Sequence, residues 1–412
     1  MIERARGYVA GLGLNSNHLL ATLLVAIPLL VIPYAYKAFT PNLMAQFLSY
    51  GLLAMSLGLI WGYGGIMSFG QTAFFGIGGY VYGVVGINLI GSTGNTNLAI
   101  VAAIAASFLA AAVGGYFMFY GRISDVYASI MTLAFTLVLY AFVLQTGGDE
   151  WVIGRARLGG FNGLFGQGES SGNIANFQIP SVTVWLPGMG DEGFAFKINR
   201  TAVSGYYLVL FVCTAIFLGC QWLLRTRVGR VIVAIRENEG RVESLGYDIR
   251  FYKTLIFAIG GGIAGMAGIL FASWGHFMNP DRFALAFAAS TIVYVTLGGR
   301  GNLLGGFVGA LLIGYLTNYL GAVIPFPQIP EGASALTAFV MEAGNRIVRE
   351  APLLVQGLIL VLMVLLLREG IVPQVAKWGA RFPKVGWLVA LPLVVLFYGH
   401  QVTCRQWDVC LF

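Results

Sequence analysis

The chain has 412 residues, of which 58% are hydrophobic and 10% charged, and its mean hydropathy is +0.80. Soluble domains carry about 25% charged residues, so this balance excludes an ordinary soluble enzyme and marks an integral membrane protein. The formal charge of +7 does not point to nucleic acid, because the basic residues gather at the ends of apolar runs and in one loop, as orientation signals do.

Arg4 and Arg6 precede an apolar run over 19–36. It is long for the core of a signal peptide and no small-residue cleavage site follows, so a retained first span is expected, kinked at Pro28 and Pro33. A second run covers 43–61, and the glycine-rich GYGGIMSFGQTAFFGIGGYVYGVVGINL covers 62–89. Ser68, Gln71 and Thr72 inside it are expected to face protein or a water-lined path, because lipid offers a polar group no partner. Runs at 98–119 and 127–145 are two further spans. A polar loop over 146–204 follows, with four basic and five acidic residues, and 205–224 crosses back.

Beyond 253 the run 254–273 contains GGGIAGMAG. No strand precedes it, so it reads as close helix contact through residues such as Gly261 and Gly265 rather than as a dinucleotide fingerprint. Residues 283–297 are short for a crossing and lead through GGRGN to a run at 303–323, the pattern of a broken or re-entrant segment. The stretch 324–352 is expected outside the membrane with a surface helix, and 353–367 crosses again. The last run, 385–399, either crosses or lies in the interface. A crossing would put Cys404 and Cys410 outside the cytoplasm, where they are able to pair. None of the four cysteines has metal-ligand spacing, and His18, His276 and His400 lie at run ends. The expected fold is all-α: a polytopic helical membrane protein of about 10–11 apolar segments, some half-spanning, in two loosely related halves. Residues 1–372 form its membrane domain and 373–412 an extension.

With the N-terminus inside, the inner segments hold 15 basic and 7 acidic residues and the outer segments 9 and 10, as the positive-inside tendency requires. The largest inner segment is 225–253, with seven of the 24 Lys and Arg residues. Within it 229–236 and 239–245 read as short helices, the first presenting Val231, Ile232 and Ile235, the second stopping at Gly246. Such a loop is either a docking surface or a solvated segment that only fixes topology.

Four stretches in order resemble the LivM-type permeases of ABC importers for branched-chain amino acids and for relatives such as urea and short amides. They are GYGGIMSFGQTAFFGIGGY at 62–80, LGGFNGL at 158–164, AIRENE at 234–239, and NPDRF followed by TLGGRGNLLGGFVGA within 279–310. Arg300 departs from the amino-acid branch and looks more like the urea and amide branch; the tail beyond 372 is longer than usual. The resemblance implies a permease subunit forming half of the path for branched-chain or other neutral amino acids, with urea or short amides as the alternative. It implies two ATP-binding subunits, a second related permease, an extracytoplasmic binding protein and a multi-pass site in the inner membrane. It makes the basic loop the ATPase-coupling element, through Val231, Ile232, Ile235, Arg236, Glu237, Glu239, Arg241, Glu243 and Gly246. The translocation path is assigned to Ser68, Gln71, Thr72, Gly299, Gly301 and Asn302.

No catalytic role, metal or cofactor is expected of this chain. No GxxxxGK[ST] loop surrounds any lysine, at 37, 197, 253, 377 or 384, so ATP falls to partner subunits. The rival reading is an ion-coupled secondary transporter, which usually holds an ionisable residue within the membrane; the apolar runs contain none.

Overall fold

The computed structural model describes residues 39–166, 179–183, 203–323, 354–359, 361–362, 365 and 370–374. The expected span at 19–36, the stretch 324–352, the run 385–399 and the Cys404 and Cys410 pair lie outside the described residues. Helix α1 spans Phe39–Leu57 and continues as a π-helical turn, Gly58–Tyr63. It is followed by α2 (Gln71–Thr93), α3 (Asn97–Tyr120), α4 (Asp125–Gln145) and α5 (Val203–Arg225). Two short helices, α6 (Arg227–Glu237) and α7 (Glu239–Ser244), lead into α8 (Ile249–Gly275), α9 (Leu285–Gly298) and α10 (Leu303–Val323).

Six helices among the described residues are long and apolar enough to cross a membrane. A helix satisfies its own backbone hydrogen bonds, which lipid cannot do. The glycine-rich stretch 62–89, which its sequence leaves open as a full or half span, contains a full crossing. Residues 62–70 are the end of the π turn and an irregular stretch, and the 23 residues of α2 then rise about 34 Å, enough for a full crossing. By contrast the 14-residue α9 rises only about 21 Å, the partial span its length implied.

Burial sorts the helices into layers. The apolar stretch of α1 is 89% buried and that of α8 78%, against 17% for α5. Helices α1 and α8 are therefore the centre of the bundle. The outer helices turn Leu109, Phe135, Phe211 and Trp222 outward, a surface that suits lipid tails. The central helices approach closely because of GGGIAGMAG. A side chain at Gly261 would collide with Ala111, one at Gly265 with Ser107, and one at Gly268 with the Phe75 backbone. The motif is thus a packing seam within one continuous helix.

The two ends of the bundle differ in kind. At one end, residues 146–166 and 179–183 form a cap that includes a three-stranded antiparallel sheet, Val152–Ile153, Ala156–Arg157 and Phe165–Gly166. The sheet pairs Val152 with Arg157 and Ala156 with Gly166. Asn88 of α2 fastens it, donating to the Ile153 carbonyl (2.8 Å) and accepting from Arg155 N–H (2.7 Å). Leu164 N–H donates to Met278 O at 2.8 Å, and His276 Nδ1 lies 2.7 Å from Ile179 O. At the other end lie 64–70, 121–124, 226–248 and 299–302, the segments that charge counting put together. A further helical stretch at 354–359 docks through buried Gln356, which accepts from Ser290 Oγ (2.7 Å) and donates to Thr317 Oγ1 (2.9 Å).

If the seam sets the bundle's spacing, Gly268→Val should cost about 1–3 kcal/mol by overpacking and lower the thermal midpoint in detergent. Gly114→Ala, whose new methyl meets open space, should lose nothing. Equal midpoints for the two variants would contradict this packing.

Candidate translocation path and docking surface

The basic loop is built by its caps. Thr226 Oγ1 accepts from Gly229 N–H (3.3 Å) to start α6. Asn238 ends α6 and starts α7, its Oδ1 accepting from Arg241 N–H at 3.0 Å. Gly246 stops the hairpin with φ +85°, where a left-handed backbone favours glycine, and its N–H returns to Glu243 O at 2.9 Å. Both short helices stand within two residues of their expected bounds.

Their apolar face is a correction. Ile232 and Ile235 are each only 2% exposed and Val231 is half-buried, so the three do not form a surface open to a partner. Helical periodicity turns that stripe onto the protein's own interior, where Ile232 and Ile256 close over Gly64. The outward side carries Glu237, Glu239, Arg241 and Glu243, with Glu239 paired to Lys253 at 2.6 Å. Exposed apolar groups on this side are Leu245 (71% exposed), Tyr247 and Phe251, which flank and follow Gly246. Sequence reasoning missed them because they follow the second helix rather than repeat along it.

Arg236 faces inward at its tip. Its Nη1 donates to the Gly62 carbonyl at 2.6 Å, and its stem packs on Gly65, whose φ is +76°. Tyr63 Oη donates to Gly301 O at 3.1 Å, and the Arg300 guanidinium lies 5.3 Å from the centre of the Trp61 ring. Asn302 caps α10, its Oδ1 accepting from Leu304 N–H at 2.9 Å. Gly299, Gly301 and Asn302, assigned to the path, therefore form the α9–α10 turn beside Arg236: Gly299 is buried with φ +104°, and Gly301 is exposed. The basic loop, the end of α1 and this turn form one contiguous junction.

Ser68, Gln71 and Thr72 are buried within the protein. Ser68 Oγ accepts from Gly70 N–H (3.1 Å), and Ser56 Oγ donates to Gln71 Oε1 (3.2 Å) while also donating to Leu53 O (2.7 Å). Gln71 Nε2 and Thr72 Oγ1 have no partner among the described residues. Buried polar atoms without partners are uncommon and costly.

Deeper in the bundle lies an aromatic cluster around Tyr50 of α1. Phe271 stacks on it at 5.6 Å, Phe287 meets it edge-on at 5.3 Å, and Tyr294 stacks at 6.4 Å. The Arg282 guanidinium sits 4.8 Å from Phe271 and 5.2 Å from Phe287, and its Nη1 donates to Tyr50 Oη at 2.8 Å. Charge counting along the sequence puts Arg282 of the NPDRF motif among the outer charges. Nothing in the sequence alone shows a loop arginine reaching back into the helices.

A family model described as branched-chain amino acid transport system permease component matches residues 39–367. The high-affinity branched-chain amino acid transport system permease protein LivM of Escherichia coli K12 is 28% identical over 316 residues, 70% of this chain and 66% of that protein. A probable LivM of Methanocaldococcus jannaschii is 26% identical, over 64% of this chain and 75% of the relative. The ribose import permease RbsC of Escherichia coli K12 is 26% identical, over 58% of this chain and 65% of the relative. The chain thus spans just under two thirds of the E. coli LivM. No solved structure matches it.

Gln71→Met keeps the side-chain volume and removes the unpaired amide, while Ser56 keeps its bond to Leu53 O. An unsatisfied buried donor costs about 1–3 kcal/mol, so the thermal midpoint of this variant should equal or exceed that of the parent. A clear drop would mean that the amide has a stabilising partner.

Proposed function

This chain belongs to the family of branched-chain amino acid transport system permease components, and on that premise we propose that it forms half of the translocation path of an ATP-driven importer of branched-chain amino acids. Two ATP-binding subunits, a second related permease and an extracytoplasmic binding protein complete the assembly. The basic-loop end faces the cytoplasm, and the sheet-bearing cap faces the binding protein.

The observation that carries this reading is the junction at Gly62. A push on α6 from a docked ATPase passes through Arg236 to the end of α1 and, through Tyr63 and Gly301, to the α9–α10 turn. Both elements lead directly to the Tyr50 cluster, because Tyr50 lies on α1 and Tyr294 on α9. The ATPase contact itself consists of the charged outer side of the hairpin together with Leu245, Tyr247 and Phe251. The buried isoleucines hold the hairpin to its own bundle instead. Gln71, Thr72 and Ser68 supply polar groups toward the same end, suited to a neutral or zwitterionic solute.

A sugar is the second reading, favoured by the similarity to ribose import permeases. The largely aromatic walls around Tyr50, with Phe271, Phe287 and Phe75, suit an aliphatic side chain better than a polyol. The urea and amide alternative rested on Arg300, which stacks on Trp61 at the cytoplasmic mouth rather than within the bundle. Uptake of labelled leucine, isoleucine, valine, ribose and urea by cells with and without the gene tests the choice. Gene-dependent uptake confined to ribose or urea would overturn the amino-acid reading.

Arg236→Ala should cut uptake at least tenfold while the protein still reaches the membrane. Full uptake with Arg236→Ala would break the proposed transmission. Tyr247→Ser combined with Leu245→Ser should weaken co-purification of the ATP-binding subunits, and unchanged recovery of those subunits would remove the pair from the contact.

A further inference from the structure

The amino-acid reading leaves open which group receives the substrate's charge, and one side chain has the chemistry for it. Arg282 lies on the short 3-10 turn Pro280–Phe283 between α8 and α9, at the cap end of the bundle. Its side chain is half-buried and reaches Tyr50, seven residues or about 10 Å inside the apolar span that begins at Leu43. A guanidinium has five N–H donors. Nε donates to Asn279 Oδ1 (3.3 Å) and one Nη1 proton to Tyr50 Oη (2.8 Å), which leaves three without a partner among the described residues. Among the described residues no carboxylate pairs with it: the adjacent Asp281 is exposed and accepts from Asn279 Nδ2 at 2.6 Å. The other contacts of the cation are the faces of Phe271 and Phe287.

Tyr50 carries the same deficit. Its oxygen accepts from Gln46 Nε2 (2.9 Å) as well as from Arg282, so both lone pairs are used and its own proton has no acceptor among the described residues. A cation with spare donors and a hydroxyl with a spare proton meet at one point, walled by Phe271, Phe287 and, behind them, Phe75. A carboxylate satisfies both groups at once, since it takes two parallel N–H bonds from a guanidinium and a further bond from a hydroxyl. An aliphatic chain attached to it would lie against the rings.

We propose that Arg282 and Tyr50 form a binding site for the carboxylate of an aliphatic amino acid at the outer entrance of the path. This assignment rests on the amino-acid reading above and adds to it the group that recognises the substrate's negative end.

Equilibrium binding of labelled L-leucine to the purified full-length chain in lipid nanodiscs tests it, with two competitors. One is 4-methylvalerate, which keeps the carboxylate and lacks the amine; the other is isoamylamine, which keeps the amine and lacks the carboxylate. The site predicts that 4-methylvalerate displaces leucine and isoamylamine does not. Arg282→Gln should weaken leucine binding at least tenfold and abolish the effect of 4-methylvalerate. Arg282→Lys, which keeps the charge without the fork, should recover part of the loss. The proposal is overturned if isoamylamine competes as well as 4-methylvalerate on the unaltered protein, a result that needs no variant to fold. It is overturned equally if Arg282→Gln binds leucine as the parent does, or if the parent binds no leucine. In that last case gene-dependent leucine uptake by cells separates the two levels: uptake retained sinks this site alone, and uptake absent sinks the amino-acid reading with it.

Discussion

The hydrogen bond from Arg236 to the Gly62 carbonyl is the interaction on which the account depends. The last turn of α1 is π-helical, a geometry that appears mostly as single turns and often at functional sites. The end of a helix leaves carbonyls without intrahelical partners. Arg236 supplies a charged donor to one of them, and Gly62 has no room for a side chain because the Arg300 backbone lies against it. Three segments distant in sequence, at 62, 236 and 300, are thereby held as one piece. Without that junction the basic loop would be a solvated connector, and nothing would relay its movement to the central helices.

The junction matters only because the bundle above it is stiff. Small residues along α8 bring its backbone onto α2 and α3, and the close approach leaves little slack between helices. A displacement at the end of α1 is then carried along the helix rather than absorbed. Tyr50 lies on that helix and bonds Arg282 at the opposite end. The cap held by Asn88, Leu164 and His276 fixes the turn that carries Arg282. The two ends of the bundle are thus linked through a single helix.

Much of this was legible in the sequence, for physical reasons. Apolar runs, glycine spacing and the distribution of basic residues report directly on membrane spans, helix contact and the grouping of loops, and those expectations agree with the described helices. The stop at Gly246 placed the end of the second short helix to within a residue or two. What the sequence did not reveal depends on which way a side chain turns in three dimensions. Ile232 and Ile235 looked like a docking stripe, but an amphipathic helix next to a membrane bundle has its own bundle as nearest apolar partner. That Gly299, Gly301 and Asn302 close the turn beside Gly62 was likewise not legible, because glycine spacing does not report which segments meet. Arg282 was lost for the opposite reason: a residue in a loop is counted as external, and its reach of several ångströms into the helices is invisible to hydropathy.

The most direct test of the central claim is hydrogen–deuterium exchange on the chain alone and on the chain assembled with its ATP-binding subunits. The account predicts slower exchange over 237–251 in the assembly, with no change over 146–166. Protection of 146–166 with none over 237–251 would contradict both the docking surface and the orientation proposed for the chain.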